Sequence, residues 1–283
     1  MTVINPVTLA EALVGLSEMP RALIVAGGTD VMVEINFYRL QPTDVLALGR
    51  VTELSHWFVS PDGLSVTIGA GLPFAAMERG TIAELIPALA QAARTVGSPQ
   101  IRAVGTLGGN LGTCSPAGDG LPVLSALDAV IHLQSLAGSR DLVFHDFMTG
   151  VKRNSRAEDE LITGITVPVL AGWQGYAKVG VRNAMVIAIA SACLVVDTTR
   201  ASVRLALGAV GPTIIRCRTT EDWFASQHDV SSVNPVDAAL AKEFGRRAAA
   251  ESKAIDDHRS TAAYRRHAIE TLAGRLLQQA YPA

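Results

Sequence analysis

Two glycine-rich segments are the parts of this sequence whose residue types are most suited to binding chemistry. The first is AGGTD at residues 26–30, and the second is GTLGGNLGT at residues 105–113. Glycine permits positive φ angles and lets a ligand approach the backbone N–H groups without a Cβ in the way. Successive N–H groups that point into one concavity bind anions, and neighbouring Thr and Asn side chains add donors. Either segment alone is equally typical of a tight turn, but the pair favours a phosphate-bearing ligand.

The two segments do not match the common nucleotide-binding motifs. A Rossmann fingerprint needs GxGxxG directly after a strand and an acidic residue about 20 positions later. The second segment, preceded by Val104, contains no GxG, and no Gly-Lys dipeptide is present for a Walker A loop. Another kind of phosphate site, built from two separate turns, is therefore indicated.

The elements that must position the first segment can be predicted from periodicity. Residues 5–20 form an amphipathic helix with Leu9, Leu13 and Leu16 on one stripe, and an apolar strand then runs into AGGTD. A helix follows at residues 31–40. Strands are predicted at 44–49 and 64–71, and Pro87 begins a helix that runs to about Val96, shortly before the second segment.

The character of the sequence changes near residue 170. After strands within 130–148 and at 161–169, three strand-like runs at 175–181, 185–197 and 202–210 indicate an antiparallel meander. The last fifty residues are helical, with Asn234 and Pro235 as a helix start and Tyr264, Ala268, Leu272 and Leu276 on one stripe. We expect one domain at residues 1–170 and a second at 171–283.

Composition excludes several classes of protein. The 283 residues carry 24 basic and 26 acidic side chains, a net charge of −2. They therefore lack the excess of positive charge that is typical of nucleic-acid-binding proteins. The most apolar stretch, residues 184–196, is too short to cross a membrane, and no basic segment precedes an apolar run near residue 1. We expect a cytoplasmic protein without integral membrane association.

The cysteines and histidines point to no metal held by this chain. Three widely spaced cysteines make a disulfide framework improbable and are fewer than the four or so thiolates of an iron–sulfur cluster. The six histidines show no HxH or HExxH grouping.

Three further sites have a chemical and a structural interpretation, and the structural one is favoured for each. Cys114 is a redox thiol or a small buried residue. His145 and Asp146 are an acid–base pair or a pair at the edge of a loop, and the second is favoured because adjacent residues in a strand face opposite sides. Arg102 meets a phosphate or partner subunit, or it forms a structural ion pair. We therefore predict no catalytic residue in this chain.

The sequence around both glycine segments resembles a known family. IVAGGTDVM and PQIRAVGTLGGNLGTCSPAGD are similar to the FAD-binding medium subunit of the molybdenum hydroxylases, the xanthine dehydrogenase and carbon monoxide dehydrogenase family. The resemblance begins at PVTLAEA and continues through DELITGITVP and GYAKVGVR. It implies an α+β fold: a two-subdomain FAD-binding domain like that of vanillyl-alcohol oxidase (PCMH type), then a small domain with a three-stranded antiparallel sheet and helices.

The resemblance also implies where FAD binds. Its pyrophosphate is expected between the two glycine segments. The implied contacts are Val25, Ala26, Gly27, Gly28, Thr29, Asp30 and Val31 in the first and Thr106, Leu107, Gly108, Gly109 and Asn110 in the second.

Five positions outside the two segments are also implied in FAD binding. Val96 matches an apolar position next to the flavin, and Ile101 is expected near the isoalloxazine ring. Asp119 matches the acidic residue that closes the second motif. Leu161 matches a position beside the nucleotide, and Lys178 matches a lysine that contacts FAD.

The family further implies a division of labour between subunits. A large subunit is expected to hold the molybdenum cofactor and a small subunit two [2Fe–2S] clusters, in a dimer of heterotrimers. FAD in this chain would collect electrons from a cluster and deliver them to dioxygen, a quinone or NAD⁺. The alternatives are a stand-alone FAD oxidase or dehydrogenase, for which no His or Tyr constellation is evident, and a non-catalytic nucleotide-binding module.

The sequence departs from the family pattern after Lys178. Relatives often carry an acidic residue there, sometimes followed by an aromatic one, whereas this chain has Met185 and Val186. Because charge near a flavin tunes its electronics, the acceptor stays open. The oxidised substrate is also open among carbon monoxide, N-heterocycles, aldehydes and purines.

Overall fold

A computed structural model describes residues 2–232 and 234–282, and they fold into two compact units that alternate along the chain. Unit 1 consists of Met1–Ala76, Pro99–Cys114 and Ala129–Pro168. Unit 2 consists of Met77–Ser98, Ser115–Asp128 and Val169–Ala283. Each unit therefore gathers segments that are distant in sequence.

Strands and helices alternate irregularly along both units. The strands are β1 (Thr2–Ile4), β2 (Leu23–Val25), β3 (Asp44–Ala47), β4 (Trp57–Val59), β5 (Ser65–Gly69), β6 (Val130–Ser135), β7 (Gly138–Val143), β8 (Met148–Gly150), β9 (Arg153–Asn154), β10 (Leu161–Pro168), β11 (Gly172–Val179), β12 (Ala190–Asp197), β13 (Ser202–Gly208) and β14 (Ile215–Arg216). The helices are α1 (Leu9–Glu18), α2 (Val31–Asn36), α3 (Phe74–Met77), α4 (Thr81–Leu85), α5 (Pro87–Thr95), α6 (Pro99–Val104), α7 (Leu107–Thr113), α8 (Gly120–Ala126), α9 (Phe144–Phe147), α10 (Arg218–Gln227), α11 (Ala238–Glu251) and α12 (Ala262–Ala280). Short 3₁₀ turns span Leu48–Arg50 and Thr52–Ser55.

Unit 1 contains two main sheets. A parallel sheet has the order β1-β3-β2, and α1 packs on it through Leu13 and Leu16, which join Leu46 in one apolar cluster. The Thr8 hydroxyl accepts a hydrogen bond from the Glu11 N–H (3.2 Å) and caps α1. The second sheet is antiparallel, with the order β4-β5-β10-β6-β7, and β8 pairs with β9 as a separate two-stranded ribbon.

Unit 2 is built on an antiparallel sheet with the order β11-β12-β13-β14. Every residue of β12 is buried, as expected for a central strand that is covered on both faces. Helix α12 packs against β11 and β12, and α11 packs against α12. Gly245 allows that helix contact, because a Cβ at this position would overlap the backbone carbonyl oxygen of Glu270.

The α+β fold is confirmed, and most of the predicted elements are present. The helix that begins at Pro87 ends at Thr95, and the predicted meander forms, with the two-residue strand β14 added at its edge. The sequence did not predict β1, β4, β8 or β9, which are two or three residues long and carry too little pattern to detect.

Several predicted boundaries are wrong. Asn234 does not begin a helix; α11 starts at Ala238, and the Asp237 carboxylate caps it by accepting the Leu240 N–H (2.7 Å). The last helix is capped by Thr261, and Tyr264 on its predicted apolar stripe is exposed. Local capping chemistry explains the start of α11, since Asp is as suitable for an N-cap as Asn.

The apolar stretch at residues 184–196 is only partly a strand. Residues 181–187 form an irregular, largely exposed connection, and β12 begins at Ala190. No helix within residues 2–232 and 234–282 is both long and apolar enough to cross a membrane.

Candidate cofactor site

The two glycine segments lie in direct main-chain contact within unit 1. Strand β2 ends at Val25, and residues 26–30 connect it to α2. A Cβ on Gly27 would overlap the carbonyl oxygen of Val104 and would lie 2.9 Å from the Gly105 nitrogen. Because only glycine fits this approach, the structure brings together the two segments that the sequence singled out.

Gly28 is required for a different reason from Gly27. Its φ angle is +72°, whereas a Cβ there would meet only Met32 and Val25 atoms at 3.5 Å or more. Backbone conformation rather than packing therefore favours glycine, because L residues rarely adopt this region. Together the two adjacent glycines turn the chain sharply and keep it against the second segment.

The second segment forms α7, which has one packed side and one bare side. The Thr106 hydroxyl caps the helix by accepting the Gly109 N–H (2.9 Å). Gly108 packs on Ala70, where a Cβ would come within 2.5 Å of the Ala70 side chain. In contrast, a Cβ on Gly109 would meet only the Thr106 hydroxyl at 3.0 Å, and one on Gly112 would meet nothing within 4 Å. The bare side leaves the main chain open to a ligand.

A polar cluster joins the ends of the two segments. The Thr113 hydroxyl donates to the Asp30 carboxylate (3.3 Å). The Lys152 ammonium lies 3.8 Å from Asp30 and donates to Glu34 (3.0 Å), and this interaction lowers the pKa of Glu34. Lys152 was not identified from the sequence, because it lies in a segment that reads as a polar loop.

Asp119 and Lys178 form a buried ion pair in unit 2. The Lys178 ammonium donates to the Asp119 carboxylate (2.6 Å) and to the Thr95 carbonyl (2.9 Å), and the two side chains are only 6% and 8% exposed. The Tyr176 hydroxyl donates to the other Asp119 oxygen (2.8 Å). The structure thus joins two residues that the sequence treated separately.

Burial shifts the pKa values of Asp119 and Tyr176 in this cluster. It raises the pKa of Asp119, against the opposing effects of the Lys178 ammonium and the Tyr176 hydroxyl. Burial and the Asp119 charge raise the pKa of Tyr176 as well, so its phenol remains a donor at neutral pH. Tyr176 was missed, although residues two apart on a strand share a face, and this spacing from Lys178 was the available signal.

The remaining predicted positions are spread over both units. Val96 follows the last residue of α5, and Ile101 lies half-buried on α6. Leu161 is fully buried in the apolar cluster of unit 1 and pairs with Gln134 across the sheet. Their contacts with a cofactor stay predictions, as do those of Asp119 and Lys178.

The structure shows the surroundings of the other reactive side chains. Burial raises the pKa of the Cys114 thiol to about 11, so it is a protonated residue at the end of α7. His145 and Asp146 belong to the short helix α9, so the strand predicted through residues 140–148 is wrong beyond Val143. Within the described residues, no three His, Cys, Asp or Glu side chains cluster closely enough to hold a metal ion.

The residues of unit 1 fit a dinucleotide pyrophosphate. The bare glycine side of α7 provides open main chain, and the Thr29 side chain, 3.4 Å from the position of a Cβ on Gly105, faces the contact between the segments. Open main-chain N–H groups and hydroxyl donors are groups suited to binding phosphate oxygens.

Two family profiles match most of the chain. Residues 1–170 match the FAD binding domain in molybdopterin dehydrogenase, and residues 176–280 match the CO dehydrogenase flavoprotein C-terminal domain. The nicotinate dehydrogenase FAD-subunit of Eubacterium barkeri is 35% identical over 207 residues, which is 70% of this chain and 69% of the relative. The glyceraldehyde dehydrogenase medium chain of Sulfolobus acidocaldarius is 30% identical over 269 residues, 94% of this chain and 92% of the relative.

Solved structures share the fold. Quinoline 2-oxidoreductase from Pseudomonas putida 86 superposes with a TM-score of 0.89 at 23% identity, over 99% of this chain and 96% of the matched one. Carbon monoxide dehydrogenase from Hydrogenophaga pseudoflava gives a TM-score of 0.88 at 24% identity, with the same coverage.

Proposed function

This chain belongs to the FAD-binding flavoprotein subunits of the molybdopterin dehydrogenases, the molybdenum hydroxylase family, and from that membership we propose a path for its electrons. Electrons arrive from a [2Fe–2S] cluster of a partner subunit and leave to an external acceptor, which is dioxygen, a quinone or NAD⁺. The chemistry that bound FAD supplies is storage of two electrons between a one-electron donor and that acceptor. The chain itself is an oxidoreductase subunit that does not oxidise the organic substrate.

The electron path depends on bound FAD, and the observation that supports FAD binding is the main-chain contact between the two glycine segments. It needs glycine at Gly27 for packing and at Gly28 for conformation, and the Thr113 hydroxyl at the end of α7 donates to Asp30 in the first segment. Ordinary tight turns have no need of a second, Cβ-free surface, so the arrangement supports pyrophosphate binding by the residues assigned to FAD: Val25, Ala26, Gly27, Gly28, Thr29, Asp30, Val31, Thr106, Leu107, Gly108, Gly109 and Asn110.

We assign further FAD contacts to Val96, Ile101, Asp119, Leu161 and Lys178. The Asp119–Lys178 pair supports a role beyond stability, because a buried ion pair is often no more stabilising than an apolar replacement. Its hydrogen bonds to Tyr176 and Thr95 hold both charges in fixed positions, as a polar contact to a cofactor requires.

The partners we propose are a small iron–sulfur subunit and a large subunit with the molybdenum cofactor, assembled as a dimer of heterotrimers. The three cysteines of this chain are separate and buried, so they support placement of the clusters elsewhere. Relatives named as a medium subunit of nicotine 6-hydroxylase and as a subunit of the 6-hydroxypseudooxynicotine dehydrogenase complex also support a multi-subunit enzyme.

An absorbance spectrum of the purified full-length chain tests the cofactor. Flavin bands, or a rise in the melting temperature on addition of FAD, are expected; a 100-fold excess over Kd stabilises by about 2.7 kcal/mol. A chain that neither carries nor binds FAD would contradict the proposal.

A second measurement separates the electron relay from the alternative of a stand-alone FAD oxidase or dehydrogenase. The isolated chain and the intact co-purified complex are assayed with an artificial dye against aldehydes, purines, N-heterocycles and carbon monoxide. Turnover only by the complex is expected. Turnover of an organic donor by the isolated chain would favour the alternative.

A further inference from the structure

Lys152 occupies a backbone conformation that lysine rarely adopts. It lies between β8 and β9 in the two-residue connection of Val151 and Lys152, and its φ angle is +52°. Glycine or asparagine is the usual residue with positive φ in such a turn. A lysine in this conformation points to a role for its side chain rather than for the turn.

The main chain and side chain of Lys152 contact residues at, or directly after, the ends of the two glycine segments. Its N–H donates to the Cys114 carbonyl at the end of α7 (3.1 Å). Its ammonium donates to Glu34 (3.0 Å) and lies 3.8 Å from Asp30, which closes the first segment. The turn thus places a cation beside Asp30, Glu34 and Cys114, which form a rim where the two segments end.

The charges at this rim oppose an anionic ligand unless Lys152 is present. Asp30 and Glu34 are carboxylates, and a pyrophosphate is also negative, so they repel one another. Lys152 is an ammonium in contact with both carboxylates, and its side chain remains 48% exposed and open to a further partner. An exposed cation beside a Cβ-free main chain is the combination that phosphate sites use.

We propose that Lys152 supplies the positive charge that offsets the FAD pyrophosphate beside the two glycine segments. It also neutralises Asp30 and Glu34, which would otherwise repel the cofactor. This inference rests on the proposed function, since it assumes that FAD binds at the glycine segments. It adds to that function a residue outside both glycine segments.

The test measures the Kd for FAD of the full-length chain, stripped of flavin, by flavin fluorescence. Lys152→Asn removes the charge but suits a positive φ, and we expect Kd to rise about tenfold, the effect of one charge-assisted contact. The rise should shrink at high salt, because salt screens exposed charges. Lys152→Arg should remain near the wild-type value. ADP also contains the pyrophosphate, so the Kd for ADP should rise in Lys152→Asn relative to wild type by about the same factor as the Kd for FAD.

Two matched variants separate this role from a structural ion pair. Glu34→Gln should lower Kd, because it removes a repelling charge and leaves Lys152 in place. Arg39→Gln removes an exposed cation from the same surface, 3.9 Å from Glu34, and should leave Kd within about twofold. If Lys152→Asn and Glu34→Gln lower the melting temperature equally and leave Kd unchanged, Lys152 is structural and the inference is overturned.

A variant that fails to fold and a wild-type chain that fails to bind FAD give different results in this test. Lys152→Gly is a second variant whose residue prefers the observed φ, so a folded Lys152→Gly chain with weakened FAD binding supports the inference. A wild-type chain that binds no FAD overturns the proposed function and this inference with it. A wild-type chain that binds FAD while both Lys152→Asn and Lys152→Gly bind it equally well overturns the inference alone.

Discussion

At the scale of single residues, glycines in this chain are required for separate physical reasons, and the reason determines what a substitution does. Gly27 touches another backbone segment, Gly28 has a positive φ, and Gly109 has an open side. A sequence shows only that each is glycine. It cannot show which one packs against protein and which one leaves space, because that depends on residues far away in the chain.

Gly109→Val should remove FAD and leave the protein folded. The new side chain meets only the Thr106 hydroxyl, 3.0 Å from its Cβ, and otherwise enters the space on the bare side of α7. Flavin content per chain, measured by absorbance, should fall severalfold, and the circular dichroism spectrum should be retained. Gly49→Val is the matched control, since a Cβ there meets nothing within 4 Å; full flavin in both variants would contradict the placement of the pyrophosphate.

Gly27→Ala should behave differently. Its Cβ overlaps the Val104 carbonyl oxygen, so the two segments must separate. We expect loss of flavin together with about 2 to 3 kcal/mol of stability, measured by urea unfolding of the flavin-free protein. Unchanged stability would show that this contact tolerates a methyl group.

At the scale of elements, α2 ends in a complete Schellman motif with an unusual residue. The Tyr38 N–H donates to the Ile35 carbonyl and the Arg39 N–H to the Glu34 carbonyl, both at 2.9 Å. Tyr38 has a φ angle of +56°, the position where glycine is preferred, and its side chain is 83% exposed. The helix end is therefore formed by hydrogen bonds in spite of its residue type.

Tyr38→Gly should stabilise the protein by about 1 kcal/mol, because it relieves the left-handed conformation of a residue with a Cβ. Thermal and urea unfolding of the flavin-free chain measure the change. Tyr38→Ala removes the same ring but keeps the strain, so it should show no comparable gain. A gain of equal size in both variants would assign the effect to the ring instead.

The beginning of α12 and the loop before it are joined by a pH-sensitive contact. Burial acts to raise the pKa of Asp257, but the N–H groups of Arg259 and Ser260 and the buried guanidinium of Arg265 outweigh it and lower the pKa to about 2. Arg265 also donates to the Ile189 and Ala209 carbonyls of unit 2. Asp257 therefore anchors the guanidinium that joins α12 to two loops.

Because the pKa of Asp257 is lower in the folded state, the unfolded state binds the proton more readily. The stabilisation is complete above the ordinary pKa of 3.8 and is lost as pH falls from there toward about 2. Asp257→Asn should lower the unfolding midpoint at pH 6 and should lose less stability than wild type between pH 5 and 2. Parallel pH profiles of the two proteins would contradict this assignment.

Long, strongly patterned elements were predictable from the sequence, and short ones were not. The helix at Pro87 and the buried strand β12 carry their own signal in proline placement and apolar residues. Strand β1 has three residues and exists because β3 offers it a parallel partner. The same limit applied to the site: the glycine segments were visible, whereas Lys152 and Tyr176 acquire their roles only through contacts between distant residues.

At the scale of the whole molecule, the division into two units does not follow the order of the chain. Unit 2 includes Met77–Ser98 and Ser115–Asp128, which lie between segments of unit 1 along the chain. Every residue of α8 is buried, and α8 packs on β12 and β13. The side-chain oxygen of Gln91 on α5 accepts the Tyr176 N–H on β11 (2.7 Å). These helices depend on strands that come after residue 170.

A fragment of residues 1–170 should therefore not form a stable, monomeric protein. It retains α5 and α8 but lacks the strands that cover them, so their apolar side chains are exposed. Size-exclusion chromatography and binding of a hydrophobic dye, compared with the full-length chain, measure this. A soluble fragment with sharp thermal unfolding would show that α5 and α8 find cover within residues 1–170.

The burial of all three thiols has a consequence for the resistance of this chain to oxidation by peroxide. Cys114, Cys193 and Cys217 are enclosed, and burial raises the pKa of each, so the thiolate that reacts as a nucleophile with peroxide is scarce. The exposed thioethers of Met32 and Met185 are the more accessible sulfur atoms. Added peroxide should therefore oxidise these methionines first, a lesion that reductases reverse, and should spare the cysteines from irreversible damage.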